Sequence, residues 1–323
     1  MAVCAGLRGT GNCALRRCGR RAHERIRCFI GPPRRPTIAA LQTRQGHDPE
    51  NMATLNPISD TAFYCCGIRM HDAQSTHPIC GDDYARLFMD EHGMDIYRRF
   101  GGEWAPNASN VSRARYIDDL LRVRLAANPQ LQVVLIGCGF DSRAFRLKGG
   151  HWFELDEPVL ITYKEARLPA AQAGNPLKRI PIDFALDSLR EKLEPIGPGP
   201  TVVIIEGVIM YVTAEALRAT LEVLRARWPT HELIADLMTH HFINTYGRAV
   251  KRIIAELGAQ MIPGEEPASP FAQAGYRQIS SVEIAGLLFR YRGRGWLNVP
   301  LRALMPRLYS GYTVRTFAVG GPG

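Results

Sequence analysis

A short apolar run that stops on glycine constrains this chain more than any other feature in it. Leu131-Gln-Val-Val-Leu-Ile136 leads into Gly137-Cys138-Gly139-Phe140-Asp141-Ser142-Arg143. A β-branched and aliphatic run of that length reads as a strand buried on both faces. Two glycines directly after it let the backbone turn tightly and pass close to a ligand. Four more runs follow: His151–Asp156, Lys178–Asp183, Thr201–Ile205 and His231–Leu237. Helical stretches at 157–173, 184–194 and 213–228 separate them. Such alternation predicts a mostly parallel, doubly wound α/β sheet of Rossmann-like kind, with right-handed crossovers.

The flanks are read around that sheet. Residues 52–110 form a helical cover, with a helix opening at Asp82-Asp83 and a loop at Gly101-Gly102 and Pro106. An amphipathic helix over 111–128 carries Ile117, Leu120, Leu121 and Leu125 on one face and stops at Asn128-Pro129. After 237 come a helix over 240–258, a Pro/Gly-rich loop over 259–274, a short helix over 283–290 and a last strand, Tyr312–Val319. That tail reads as a late helical insertion. No apolar run approaches the ~18–20 residues needed to span a bilayer. The expectation is a soluble, cytoplasmic protein with no membrane partner.

Charge needs to be read by segment. The chain has 40 Lys+Arg against 31 Asp+Glu, a formal +9, which taken whole suggests a polyanion or an acidic ligand. Residues 1–51 hold ten Arg, no Lys and three acids, so seven of the nine charges sit there. Four of the eight cysteines share that segment, at no metal-binding spacing. It has no sustained period, and arginines interrupt any secretory core. We read 1–51 as a basic extension, disordered or foreign to the native protein, with an organelle transit peptide as the alternative. Residues 52–323 are then one near-neutral domain, for which no nucleic acid is expected. The remaining cysteines, Cys65, Cys66, Cys80 and Cys138, show no metal spacing and read as free thiols in a reducing compartment.

In a doubly wound sheet, ligands bind beyond the carboxyl ends of the strands. Asp156 ends the second strand, 19 residues after Gly137. A carboxylate there is placed to accept both hydroxyls of an adenosine ribose; it can equally cap a strand end. A dinucleotide turn of G-x-G-x-x-G type would put glycine at 142, where this chain has Ser142. S-adenosylmethionine has no pyrophosphate and makes no such demand. The same turn can also be a plain strand-to-helix corner capped by Asp141 or Ser142.

Several separated motifs now carry a resemblance. Val134 to Leu147, then Trp152-Phe-Glu-Leu-Asp156 with Lys164, resembles the leucine carboxyl methyltransferase family. These are class I S-adenosylmethionine-dependent methyltransferases, a group that includes polyketide O-methyltransferases of the tetracenomycin type. Thr61-Ala62, Asp82-Asp83-Tyr84-Ala85, Arg113 to Asp118, and Ile205-Glu206-Gly207 to Tyr211 resemble further family segments in the same order. The resemblance runs from about residue 54 to 319. It implies S-adenosyl-L-methionine as cofactor and O-methylation of a carboxylate or hydroxyl on a small molecule. It implies that Arg113, with Arg115 as rival, grips the cofactor carboxylate in a fork. Gly137 and Gly139 would pass the methionyl part, and Asp156 the ribose. Asp183 and Phe184 would flank the adenine, and Glu206 would face the amino group. Tyr211 could line the acceptor pocket. His240 and His241, beyond the fifth strand, could supply a base for a hydroxyl acceptor or merely line a loop. The acceptor pocket is expected from 52–110 and 240–310. Two other classes stay open: an NAD(P)-dependent reductase on the same sheet, and a nucleic-acid binder using the basic arm.

Overall fold

The computed structural model describes residues 56–319, so the readings placed on residues 1–51 lie outside it. The strands are β1 (Gln132–Ile136), β2 (His151–Asp156), β3 (Leu177–Pro181), β4 (Thr201–Ile205), β5 (Glu232–Met238), β6 (Tyr276–Glu283) and β7 (Tyr312–Val319). They form one sheet in the order β3-β2-β1-β4-β5-β7-β6. β1 to β5 run parallel. β7 is antiparallel to both β5 and β6. The order reverses between β1 and β4, which leaves a crevice at their carboxyl ends.

The helices before the sheet are α1 (Pro57–Ala73), α2 (Glu91–Arg99) and α3 (Trp104–Ala127). Those between strands are α4 (Arg143–Arg146), α5 (Pro158–Arg167), α6 (Leu189–Leu193) and α7 (Ala214–Arg227). After β5 come α8 (His240–Thr245), α9 (Arg248–Glu256) and α10 (Ser269–Gln273). Between β6 and β7 lie α11 (Ile284–Tyr291), α12 (Asn298–Leu304) and α13 (Pro306–Gly311).

All of β4 is buried, as a central parallel strand with both faces covered must be. Its side chains alternate between two cores. Val203 and Ile205 pack with Leu217, Leu221 and Leu224 of α7. Val202 and Ile204 pack with Ile117, Leu121 and Leu125 of α3. Each such aliphatic burial contributes roughly 1.5–3 kcal/mol. A third core joins α1 and α2 to the loop after β1. Phe140, directly after the second glycine, lies 4.8 Å from the Phe63 ring and 5.0 Å from Phe88. The cover is thereby packed onto the turn it shields. α1 starts where its caps place it: Asn56 Oδ1 accepts from Ser59 N at 2.8 Å, and Pro57 occupies the first helical position.

The five parallel strands and β7 fall within a residue or two of expectation. The flanks differ more. α3 begins at Trp104, not 111, because Pro106 sits in the first turn, where its missing N–H costs nothing. Asp82 does not open a helix. It is buried under Arg69 and Ser142, and a single 3-10 turn, Ala85–Phe88, follows it. The stretch read as one helix over 240–258 is broken at Tyr246-Gly247 into α8 and α9. The stretch over 184–194 shrinks to α6, because Asp183 folds a turn ahead of it. β6 had no counterpart in the sequence reading. It is an edge strand, and Arg277, Gln278 and Ser281 face solvent, so it lacks the apolar texture of the others.

Candidate functional site

The turn after β1 is locked to β2. Gly137 N and Cys138 N both donate to Leu155 O, at 2.9 and 3.0 Å. Gly137 adopts φ +70°, and a Cβ there would meet Val208 Cγ2 at 2.4 Å. Gly139 N donates to Asp156 Oδ2 at 2.6 Å, and Glu157 N donates to Oδ1 at 2.8 Å. Asp156 therefore fixes the turn with one lone pair on each oxygen, and each oxygen retains another for a ligand. Burial pushes its carboxyl up, against the two backbone donors that pull it down. Ser142 is the N-cap of α4 but makes no side-chain cap bond; Asp141, one residue earlier, accepts from Arg143 N through Oδ1 at 2.7 Å. Ser142 instead donates to Asp82 Oδ1 and accepts from Arg146 Nε.

Beside the turn lies a buried lattice of guanidiniums and carboxylates. Arg113 Nε donates to Glu206 Oε1 at 2.8 Å, and Nη1 to Asp236 Oδ2 and the Tyr312 hydroxyl at 3.0 and 2.6 Å. Arg143 donates to Glu206 Oε2 at 2.7 Å, to Asp118 Oδ1 at 2.6 Å and to Asp141. Arg146 donates to Asp118 Oδ2, and Arg69 to Asp82 Oδ2 and Phe140 O. Burial alone would raise Glu206, yet the Arg143 and Arg113 guanidiniums overcome it and hold the carboxyl at about 2. Asp236 Oδ1 accepts from Gly207 N at 2.7 Å, which shapes the turn after β4. Arg122 Nη2 also approaches Asp118 Oδ2, at 3.7 Å, so five guanidiniums face five carboxylates and the lattice is formally neutral.

A cavity of about 610 Å³ opens at the carboxyl ends of β1, β2 and β4. Its wall includes Gly137, Gly139, Asp156, Arg113, Glu206 and Phe184, which brings six of the seven expected cofactor residues to one place. The seventh, Asp183, is not part of the wall. Its Oδ1 accepts from Ala185 N and Leu186 N and caps its own turn. Phe184 is 45% exposed. Tyr211 is in the wall. His240 and His241 are exposed and lie outside it; His240 pairs with Asn244. Arg115 is also outside, bonded to Asp119 and Ile79 O. The wall also draws on α1, through Ser59, Thr61 and Cys65, and on nothing from 240–310, where part of an acceptor pocket was expected.

The sequence reading missed Arg69, Asp141, Arg143, Arg146 and Glu157 in the wall, and Asp236 and Tyr312 behind it. Asp236 carried the signal that singled out Glu206, an acid within an apolar strand. Arg69 carried none, since nothing in an irregular helical cover marks one arginine as buried.

The donor set fits S-adenosyl-L-methionine. Arg113 Nη2 makes no hydrogen bond among the described residues; a Cβ on Gly207 would come within 3.4 Å of it. A guanidinium with a free edge suits a carboxylate, Glu206 an ammonium, and the carboxylates of Asp156 and Glu157 a ribose diol. The wall sets Arg69, Arg113, Arg143 and Arg146 against Asp141, Asp156, Glu157 and Glu206, a formally neutral lining with no surplus positive charge for a pyrophosphate.

The family model for leucine carboxyl methyltransferase matches residues 65–225. A protein from Frankia alni is 32% identical over 169 residues, which is 48% of this chain and 60% of that one. Another, from Mycolicibacterium smegmatis, is 30% identical over 178 residues, 49% of this chain and 59% of that one. The name of each assigns it, without a substrate, to the S-adenosyl-L-methionine-dependent methyltransferases. The chain thus spans about three fifths of the length of the curated relatives it matches. The crystal structure of a DUF574 family protein from Streptomyces avermitilis shares the fold, with a TM-score of 0.50 at 13% identity, over 77% of this chain and 99% of that one. The lining of the cleft fits S-adenosyl-L-methionine, and the chain belongs to the leucine carboxyl methyltransferase family.

Proposed function

We propose that this chain transfers a methyl group from S-adenosyl-L-methionine to an oxygen of a small, polyketide-like or related acceptor, and that this oxygen is a carboxylate. The observation that carries the reading is the make-up of the cavity wall. It holds Arg113, Glu206 and Asp156 in one cleft and, among the described residues, no histidine or lysine. A volume of about 610 Å³ suits a small molecule.

Bound S-adenosyl-L-methionine supplies an electrophilic methyl on a sulfonium. The protein's task is to hold an ionised, desolvated oxygen in line with it. A carboxylate has a pKa of ~4 and arrives ionised at neutral pH, so it needs no base. His240 and His241 stand outside the wall. Burial pushes the Tyr211 phenol well up, so at neutral pH it donates a hydrogen bond and does not take a proton. Ser59, Thr61 and Tyr211 can orient an acceptor, and the apolar wall around them strips its water.

A hydroxyl acceptor is the second reading. It would draw on Asp141 or Glu157, wall carboxyls that burial pushes up. The test is transfer from methyl-labelled cofactor onto a metabolite extract, followed by mild alkali. The proposal expects labelled product that releases methanol, as an ester does. Alkali-stable label supports the hydroxyl reading, and no transfer to any acceptor overturns both.

A further inference from the structure

The connection between β6 and β7 presents a face that nothing in the described fold covers. A 3-10 turn, Gly295–Leu297, runs directly into α12. Trp296, Val299, Pro300, Ala303 and Leu304 are all exposed, at 72%, 78% and 77% for Trp296, Val299 and Leu304. Their spacing of three, four, seven and eight residues is one helical face. Of the two polar residues of α12, Arg302 is exposed and Asn298 sits inward: Asn298 Nδ2 donates to Gly286 O, and the Tyr309 hydroxyl donates to Asn298 Oδ1. These bonds tie α12 to α11 and α13 and hold its apolar face outward.

The rim of that face is basic. No Asp or Glu follows Glu283 in the sequence. Arg290, Arg292, Arg294, Arg302 and Arg307 are exposed, and among the described residues only Arg302 pairs with a carboxylate, Glu283 at 2.8 Å. Residues 1–51 of this chain carry the same sign of charge, and a second copy would bring arginine against arginine. The occupant is therefore anionic. Trp, Val and Leu at the centre with arginines around them is the composition of a helix that lies in a bilayer interface. We propose that this face docks the protein on an anionic lipid surface. The sequence reading expected no membrane partner because it sought runs long enough to span; a face that lies on a bilayer needs none.

The test uses the full chain with vesicles of phosphatidylcholine alone or mixed with phosphatidylglycerol. Two double variants, W296S/L304S and R292Q/R294Q, accompany it, and thermal melting checks that these exposed changes leave the fold intact. The expected result is co-sedimentation with the mixed vesicles only, weakened by salt. R292Q/R294Q should reduce binding about 30-fold at low salt, and W296S/L304S should reduce it at all salt concentrations. Three outcomes overturn the proposal. The wild type may fail to sediment with anionic vesicles. Both variants may bind as the wild type does, which assigns the binding to another surface such as the basic N-terminus. Or soluble polyglutamate may be captured with the same dependence on both pairs while vesicles are not, which makes the partner an acidic protein.

Discussion

Glu206 interrupts an apolar strand end, and two guanidiniums make that position tolerable. Its carboxyl is held at about 2, against an ordinary value of 4.5. A depressed folded value means stabilisation that is complete above the ordinary value and lost as pH falls from about 4.5 toward 2. The difference corresponds to about 3 kcal/mol. Glu206→Gln leaves Arg113 and Arg143 short of a counter-charge, and breaking such a buried pairing costs about 3–5 kcal/mol. Denaturation at a series of pH values should show the variant less stable at pH 7, with the gap to wild type closing between pH 4.5 and 2. Asp156 and Asp183 make a second contrast. Asp156→Asn weakens the hydrogen bonding available to a ribose, and a charged hydrogen bond is worth about 1.5–3 kcal/mol. Calorimetry with S-adenosylhomocysteine should show a loss of roughly tenfold or more for Asp156→Asn. Asp183→Ala should leave affinity within a few-fold, because that carboxylate caps its own turn.

The glycine turn and the helical cover behave as coupled elements. Gly137→Ala places a Cβ 2.4 Å from Val208 Cγ2 at φ +70°, so strain and overpacking combine. We expect a loss of about 1–3 kcal/mol together with weaker cofactor binding, read from thermal melts with and without S-adenosylhomocysteine. α8 makes the opposite case. His240→Gln with His241→Gln should leave turnover unchanged, and a large fall would return the base role to that helix. The legible parts of the sequence were those with a strong local signal. β1 and β4 are apolar because both faces are covered, and the glycines and Asp156 sit at fixed offsets from β1. β6 was illegible because an edge strand with Arg277, Gln278 and Ser281 outward has no such texture. Arg69 and Tyr312 were illegible as site residues because only the packing of the cover and the last strand brings them near Arg113 and Glu206.

Seen whole, the molecule separates two uses of charge. Seven of nine net positive charges precede residue 52, and Arg69, Arg113, Arg143 and Arg146 are committed to a lattice around one cleft. The exposed arginines Arg290, Arg292, Arg294, Arg302 and Arg307 flank an apolar segment in the chain and have almost no acidic partners among the described residues. A nucleotide reductase and a methyltransferase on this sheet differ in what that cleft must hold, a pyrophosphate or a cationic sulfonium. The cleft wall matches four arginines with four carboxylates and so offers no surplus positive charge to a pyrophosphate, which favours the second. Calorimetric titration of the full chain with S-adenosylhomocysteine and, separately, with NADPH tests this most directly. The structure predicts one binding site for S-adenosylhomocysteine, weakened in Asp156→Asn, and no binding of NADPH. Saturable binding of NADPH in the absence of any for S-adenosylhomocysteine would contradict it.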